Sequence, residues 1–290
     1  MDTEYTTLAA DKTPLGYRLL KTNHTIALTM IHGLASNLTR WTEFINRTQL
    51  SNHCDILRID LRGRGLTPYR GFYNRQTWLN DIDTLLKKEA YQKTVIMGHS
   101  LGAQVALEFA YQQPEKTLGL ILIDPVFPQA LSGKLAVARK CRAIVWFLIR
   151  MVWFFNKIGL KHKNIPTRDL YQLDLTTREL LKNKPELSIA DLYANPFDDA
   201  KYLPLANYLQ DLYEVTRPLP DLHLIDVPIL VLLSKGAALM NKQANEEIIL
   251  SLKNQTTKII DANHWLLTES PEESRLAIEQ WFIKNFTDAQ

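Results

Sequence analysis

The feature that most constrains this chain is a series of short apolar runs separated by helical patterns. The runs are residues 25–32 (TIALTMIH), 54–60 (CDILRID), 94–98 (TVIMG) and 118–124 (LGLILID), and stretches such as 77–90 between them have helical periodicity. Nearly continuous apolar strands that alternate with helices are typical of a parallel sheet covered on both faces. The sequence therefore predicts an α/β fold.

The alternation then stops, and it resumes only with PILVLLS (228–234) and TKIID (257–261). Residues 126–224 show helical patterns and no convincing strand, over a length far beyond that of an ordinary loop. Two β-rich runs near the start favour an antiparallel edge hairpin. We predict a mostly parallel eight-stranded sheet flanked by helices, formed by residues 1–125 and 225–290. Residues 126–224 are predicted to form a helical cap inserted between the sixth and seventh strands.

The bulk composition is that of an ordinary globular protein. The 290 residues are 46% hydrophobic and carry a net charge of +3, which gives no indication of nucleic-acid binding. Cys54 and Cys141 do not have the spacing of metal ligands, and the polar start of the chain does not resemble a signal peptide. We expect a cytoplasmic protein that needs no metal and no organic cofactor.

A sharp turn follows the third of these apolar runs. The sequence GHSLG (98–102) lies between a strand and a helix, which is the context in which a serine hydroxyl is presented above a sheet. Gly98 and Gly102 keep bulk out of the turn, and the following helix directs its free amides at the reacting carbon. The pattern predicts that Ser100 is a nucleophile and that the Leu101 amide stabilises the developing oxyanion.

With this turn, the chain resembles the α/β-hydrolase fold superfamily over nearly its whole length. A His-Gly pair (32–33) and the sequence DLRGRG (60–65) follow two other strands, as they do in members of that superfamily. The resemblance implies that the Leu34 amide is the second donor of the oxyanion hole. It also implies that Asp60 is structural.

Seven histidines compete for the role of general base. The resemblance implies His264, because it follows the last strand and completes the chain order serine, acid, histidine. We expect His32 to brace its loop. We expect the side chain of His99 to point away from the partner of Ser100. The other four lie in polar or irregular contexts that predict surface positions.

The acid is less obvious, because Ala237 stands where most relatives carry an aspartate after strand 228–234. Asp124 ends the strand that follows the nucleophile helix, at the same edge of the sheet. A minority of the superfamily, pancreatic-type lipases among them, carries its acid there, and we predict that Asp124 orients His264. Asp261 is a weaker alternative because it is close to His264 in sequence. A serine–histidine pair without a carboxylate, or an Ala237 that marks a lost or engineered acid, are further alternatives.

The predicted cap contains a strongly apolar stretch within residues 138–163. From residue 143 to residue 155, Arg150 alone is not apolar, and this run is too short to span a membrane. Three interpretations stay open: a buried cap helix that forms the wall of an acyl pocket, an interfacial helix on anionic lipid, or a dimer surface. For the pocket wall we select the aromatic residues Trp146, Phe147, Trp153 and Phe154.

These patterns predict a serine hydrolase that cleaves hydrophobic carboxylic esters through an acyl-enzyme. A thioesterase or acyltransferase would use the same triad, and a non-enzymatic binding protein would follow if Ala237 marks a decayed site. Epoxide hydrolases and haloalkane dehalogenases of this superfamily are disfavoured, because they need an aspartate at position 100. The sequence does not predict an oligomeric state.

Overall fold

The computed structural model describes most of the chain. The described residues are 2–160, 165–184, 186–187, 189–193, 199, 201–236 and 239–287.

The core of the molecule is an eight-stranded sheet with strand order β1-β2-β4-β3-β5-β6-β7-β8. β1 pairs antiparallel with β2, β2 pairs antiparallel with β4, and all other neighbours are parallel. The predicted mostly parallel sheet with an antiparallel edge hairpin is therefore confirmed. The strands are β1 (Asp2–Leu8), β2 (Pro14–Leu20), β3 (Ile26–Ile31), β4 (Asp55–Ile59), β5 (Lys93–His99), β6 (Thr117–Ile123), β7 (Ile229–Ser234) and β8 (Gln255–Ile260).

Helices cover both faces of this sheet, and two clusters of buried apolar side chains lie between the helices and the strands. The central strands β5 and β6 are almost completely buried, which is why their sequences are continuous apolar runs and not alternating ones. The helices outside the insertion are α1 (Thr42–Arg47), α2 (Arg75–Lys88), α3 (Leu101–Gln112), α9 (Lys242–Leu250), α10 (Leu266–Glu269) and α11 (Pro271–Phe286).

The chain between β6 and β7 is helical in the residues that the structure describes, and we call residues 126–224 the inserted segment. Its long apolar stretch forms a single helix with one basic residue inside the apolar run, as its periodicity predicts. The helices are α4 (Gly133–Lys140), α5 (Arg142–Lys157), α6 (Leu170–Asn183), α7 (Ile189–Tyr193) and α8 (Leu205–Val215).

Buried polar contacts fasten both ends of the inserted segment to the core. The Gln104 side-chain amide, on α3, donates to the carbonyl oxygens of Val126 at 2.6 Å and Val215 at 3.1 Å. Arg75 is fully buried and forms an ion pair with Glu108 at 2.8 Å. Its guanidinium also donates to the Gln104 side chain at 2.8 Å. Removing one partner of such a buried network costs about 3–5 kcal/mol, so the start and end of the insertion are fixed relative to α3.

Candidate active site

Ser100 lies on a strained turn between β5 and α3. Its backbone has φ 54° and ψ −111°, outside the regions that a serine normally occupies. A Cβ on Gly98 would lie 2.3 Å from the Gly102 carbonyl oxygen, and one on Gly102 would lie 2.2 Å from the Ile31 carbonyl oxygen. The Ser100 amide donates to the Ile123 carbonyl at 3.0 Å, which anchors the turn to β6. The two glycines are therefore required for the close packing that holds the serine in this conformation.

Ser100 and His264 line the same cavity, which has a volume of about 220 Å³. The cavity lies at the carboxyl edge of the sheet, where crevices of open α/β sheets form. Part of its wall comes from the core and part from α4, α6 and α7 of the inserted segment. The wall includes the apolar side chains Leu34, Val126, Leu135, Leu170 and Leu239.

His264 is held by a carboxylate. Its Nδ1 lies 2.5 Å from Asp124 Oδ2, and both side chains are buried. The other carboxylate oxygen, Oδ1, accepts the backbone N–H of Ser234 at 2.9 Å. A proton on Nδ1 makes this contact a hydrogen bond from the ring to the carboxylate, and in the neutral ring Nε2 then keeps its lone pair. That is the tautomer that a general base for a serine hydroxyl requires.

The structure brings the predicted acid to the predicted base, and it places the alternative carboxylate of Asp261 elsewhere. Asp124 directly follows β6, has a positive φ of 41° and contacts the His264 ring. The Asp261 side chain is 84% exposed and pairs with Lys235 at 3.7 Å. Ala237, at the position where most relatives carry the acid, lies outside the described residues.

His32 braces the loop that contains the predicted oxyanion donor. Its Nε2 accepts the Leu61 N–H at 3.1 Å, so its Nδ1 is protonated and donates to the Gly33 carbonyl at 2.9 Å. Burial lowers the pKa of His32 to about 3, and the ring is neutral. A Cβ on Gly33 would lie only 3.4 Å from the Ser100 Cβ. The backbone that leads to Leu34 therefore passes directly beside the nucleophile.

The two predicted oxyanion donors lie on either side of this close approach. Leu34 lines the cavity, and Ala35 after it has a positive φ of 52° that turns the loop. Leu101 is fully buried as the first residue of α3, and the first N–H groups of a helix have no partner within the helix. Leu34 and Leu101 thus directly follow the two residues, Gly33 and Ser100, that approach each other here.

The expectation for His99 is wrong, because its side chain points toward His264. Its Nε2–H donates to the His264 carbonyl at 3.0 Å, and the two ring centroids are 4.9 Å apart. Burial, together with the charge that His264 can carry, lowers the pKa of His99 to about 3. The chain leaves the strand geometry at Ser100, so side-chain alternation along β5 does not predict the direction of its neighbour. We infer that neutral His99 fixes the backbone of the base.

A second residue that positions His264 is Glu269, which sequence reasoning missed. Its carboxylate accepts the backbone N–H groups of Asn263 at 3.0 Å, His264 at 3.3 Å and Trp265 at 3.1 Å. It also accepts the Asn263 side-chain amide at 2.8 Å. The available signal was an acidic residue about one turn after the histidine, beside the start of a helix. A single carboxylate thus holds the three-residue loop that carries the base.

The four aromatic residues predicted to line an acyl pocket lie elsewhere. Phe147 and Phe154 are each 60% exposed on α5. Trp146 packs against Tyr213 of α8, and Trp153 lies beneath the Lys157 ammonium. In the described part of the chain, the wall of the Ser100 cavity includes none of these four. The reason is that α5 packs through a narrow inward face, so much of its apolar surface is directed away from the core.

Two arginines that line the cavity, Arg40 and Arg168, form ion pairs. Buried Arg40 forms an ion pair with Asp174 and lies over the Tyr193 ring at 5.1 Å. Arg168 pairs with Asp199 at 3.2 Å. Among the described residues, no group of three or more His, Cys, Asp or Glu side chains could hold a metal ion. The cavity wall thus combines apolar side chains with two paired arginines and with Lys134.

Comparisons with known proteins show the family and the fold of this chain. The family model described as "Alpha/beta hydrolase family" matches residues 30–274. The chain is 23% identical over 271 residues to epoxide hydrolase 1 of Caenorhabditis elegans, covering 88% of this chain and 64% of that protein. It is 27% identical over 112 residues to the mouse sn-1-specific diacylglycerol lipase, covering 38% of this chain and 36% of that protein.

A solved structure of similar fold is that of a hydrolase from Pseudomonas aeruginosa. It has a TM-score of 0.69 and 20% identity, and the match covers 97% of this chain and 98% of that one. At this identity the likeness concerns the fold. The chain spans less than two thirds of the length of the curated relatives named above.

Proposed function

Because the chain belongs to the α/β hydrolase family, in which its relatives are hydrolases, we propose that it is a serine hydrolase that cleaves hydrophobic carboxylic esters. One observation carries the proposal. Ser100 lies on a strained turn in the same cavity as His264, and the Nδ1 of that histidine is bonded to the buried Asp124 carboxylate. This is the arrangement in which a hydroxyl becomes a nucleophile.

In the proposed reaction, Nε2 of His264 takes the proton of Ser100 as the hydroxyl oxygen attacks the ester carbonyl. The tetrahedral oxyanion accepts hydrogen bonds from the amides of Leu34 and Leu101, each typically worth about 3–4 kcal/mol. The imidazolium, stabilised by Asp124, then protonates the leaving alcohol as the acyl-enzyme forms. A water molecule repeats the sequence on the acyl-enzyme, and His264 returns the proton to Ser100.

The similarity to epoxide hydrolases makes epoxide opening the main competing chemistry. A serine that opened an epoxide would form an ether, and an ether has no carbonyl at which water could release the product. A carboxylate nucleophile would form a hydrolysable ester instead. The hydroxyl at position 100 therefore supports acyl transfer over epoxide opening.

We further propose that the inserted segment acts as a cap over the site. Leu135, Leu170 and Tyr193, from three of its helices, line the cavity together with Ser100. The apolar part of this wall, next to paired charges, suits a hydrophobic acyl group. Each CH₂ that enters such a wall contributes about 0.8 kcal/mol, or roughly fourfold in kcat/KM.

Labelling with a fluorophosphonate probe tests the nucleophile. We expect Ser100→Ala to abolish both labelling and hydrolysis of nitrophenyl esters, with the fold intact by circular dichroism. Ser36→Ala is the matched control, because Ser36 is a buried serine in the wall of the same cavity. Labelling that persists in Ser100→Ala and disappears in Ser36→Ala would reject the assignment.

An acyl series from acetate to hexanoate tests the substrate class. We expect kcat/KM to rise with chain length until the cavity is filled, and a flat profile would contradict a hydrophobic acyl site. Adding an alcohol or a thiol to the same assay distinguishes hydrolysis from acyl transfer. A parallel assay with an aryl epoxide is expected to show no turnover that depends on Ser100.

A further inference from the structure

Helix α5 exposes an apolar face that the fold leaves uncovered. Its inward side packs through Val145 and Ile149, which are 8% and 2% exposed. The opposite side consists of large apolar side chains that are 39–60% exposed. We call this set the α5 face: Ile144, Phe147, Leu148, Met151, Phe154, Phe155 and the following Ile158.

The α5 face is continuous and has a basic border. At about 100° per residue its members fall within an arc of about 120° along the helix. Arg150 and Lys157 are exposed and lie about 40–60° beyond one edge of that arc. A contiguous apolar surface of this kind, rimmed by charge, marks an interaction site.

The stretch of sequence that contains α5 carries charged residues of one sign only. From residue 125 to residue 168 the chain contains no aspartate or glutamate, although it contains nine basic residues. They are Lys134, Arg139, Lys140, Arg142, Arg150, Lys157, Lys161, Lys163 and Arg168. This local excess is three times the net charge of +3 of the whole chain, so the segment of sequence that contains α5 is strongly basic. Of these residues, Arg150 and Lys157 are the two that border the α5 face.

The apolar arc and its basic border together distinguish between a second copy of the chain and a lipid surface as the partner. A symmetric antiparallel contact between two copies would bring Arg150 and Lys157 of both copies to the same border, where like charges repel. A parallel contact would leave these charges without an acidic partner on the other α5, which contains no aspartate or glutamate. An anionic lipid surface satisfies both features at once, because acyl chains accept the apolar arc and headgroup phosphates accept the basic border. Within the described residues, no helix is long and apolar enough to cross a bilayer. A helix that lies in the plane of the interface needs no such length.

We propose that the α5 face docks this protein on an anionic lipid surface. The apolar arc enters the region between headgroups and acyl chains, while Arg150 and Lys157 bind the headgroups. Helix α4 connects this surface to the catalytic cavity, since Lys134 and Leu135 line the cavity and Val137 on the same helix is 61% exposed. The docking surface and the cavity wall therefore belong to adjoining helices of one segment.

Sedimentation of the full chain with vesicles tests the proposal, and it does not require enzymatic activity. We expect partition onto phosphatidylcholine vesicles with about 30 mol % phosphatidylglycerol, and weaker partition onto pure phosphatidylcholine. Phe147→Ser/Phe154→Ser is expected to weaken partition more than tenfold, because two large apolar side chains no longer enter the lipid. Leu224→Ser/Leu250→Ser is the matched control, because these side chains are 63% and 73% exposed away from α5.

The basic border is tested separately. Arg150→Gln/Lys157→Gln should weaken partition by about fivefold per lost charge at low salt, and by less at about 1 M salt. Lys242→Gln/Lys253→Gln removes two exposed charges from another surface and should leave partition unchanged. Partition that ignores both the phenylalanine and the basic variants would overturn the proposal. Absent partition, together with a dimer that Phe147→Ser/Phe154→Ser dissociates, would assign the face to a second copy and would also overturn it.

Discussion

Two parallel strands of this sheet are each followed directly by an aspartate, and the two carboxylates have opposite environments. β6 ends in LILI and is followed by Asp124, whereas β8 ends in TKII and is followed by Asp261. Asp124 is buried between the Ser234 amide and the His264 ring. The Asp261 side chain is 84% exposed. Among the ion pairs of the described residues, its partner is the Lys235 ammonium at 3.7 Å.

The difference comes from strand order. β6 lies between β5 and β7, so β7 supplies the Ser234 backbone donor and the turn after β5 carries the proposed nucleophile, Ser100. β8 is the last strand of the sheet, and its end has a neighbour on one side only. An aspartate that follows a strand therefore becomes a candidate acid when the strand order places it inside the crevice. The local sequence around the aspartate does not determine that placement.

The largest expected effect distinguishes these two carboxylates. Asp124→Asn should lower kcat for a nitrophenyl ester by about 10³–10⁴-fold with little change in KM, because the geometry survives while the tautomer and the imidazolium lose support. Asp261→Asn is the matched control and should change kcat by less than about twofold, as expected for an exposed side chain. Steady-state kinetics of the two variants measures the contrast. Near-normal activity of Asp124→Asn would break the comparison and direct attention to a serine–histidine pair without a carboxylate.

A smaller effect is expected at the loop that follows β8. Glu269→Gln keeps the shape of the side chain but loses the charge that accepts three successive backbone N–H groups. We expect kcat to fall by about 10–100-fold with KM nearly unchanged, since a small displacement of the base is costly. Labelling of Ser100 by the fluorophosphonate probe should slow by a similar factor.

The control for Glu269 is Glu273→Gln, which removes an exposed carboxylate from the first turn of α11. The Glu273 side chain is 46% exposed and lies 3.9 Å from the Lys258 ammonium. Such an exposed ion pair contributes little, so no effect on kcat is expected. If Glu269→Gln were as active as Glu273→Gln, the loop would be held by its other contacts, and the positioning role would be lost.

The sequence predicted those parts of the molecule that depend on local pattern. The strand–turn–helix context predicted the sharp turn at Ser100, because that signal lies within about ten residues of chain. The contact between Asp124 and His264 was predicted from strand order and from the family resemblance, and the catalytic roles of these residues stay predictions. The contacts of His99 and Glu269 were not predicted. The contact of His99 is with the loop of His264, which is distant in sequence, and no specific sequence signal distinguishes Glu269 from other acidic residues. The periodicity of α5 gave the width of its apolar surface. The periodicity did not predict which part of this apolar surface is buried. The four aromatic residues were therefore assigned to the cavity wall, which does not include them.

The last prediction concerns the stability that buried His99 links to pH. Its pKa is lowered to about 3, chiefly by burial, whereas an unfolded histidine titrates near 6.5. Between these values the unfolded chain binds the proton and the folded one does not, so the free energy of unfolding falls as pH decreases from about 6.5 toward 3. His99 should contribute a slope of about 1.4 kcal/mol per pH unit in that window.

His99→Gln removes this titration and retains an amide that can donate to the His264 carbonyl. Urea unfolding at several pH values should therefore show a shallower decline for the variant below pH 6.5, while at about pH 8 the two slopes should coincide because neither side chain titrates there. Parallel declines throughout the acidic range would mean that His99 becomes protonated in the folded protein, and a charged ring could not be the neutral support that holds the base.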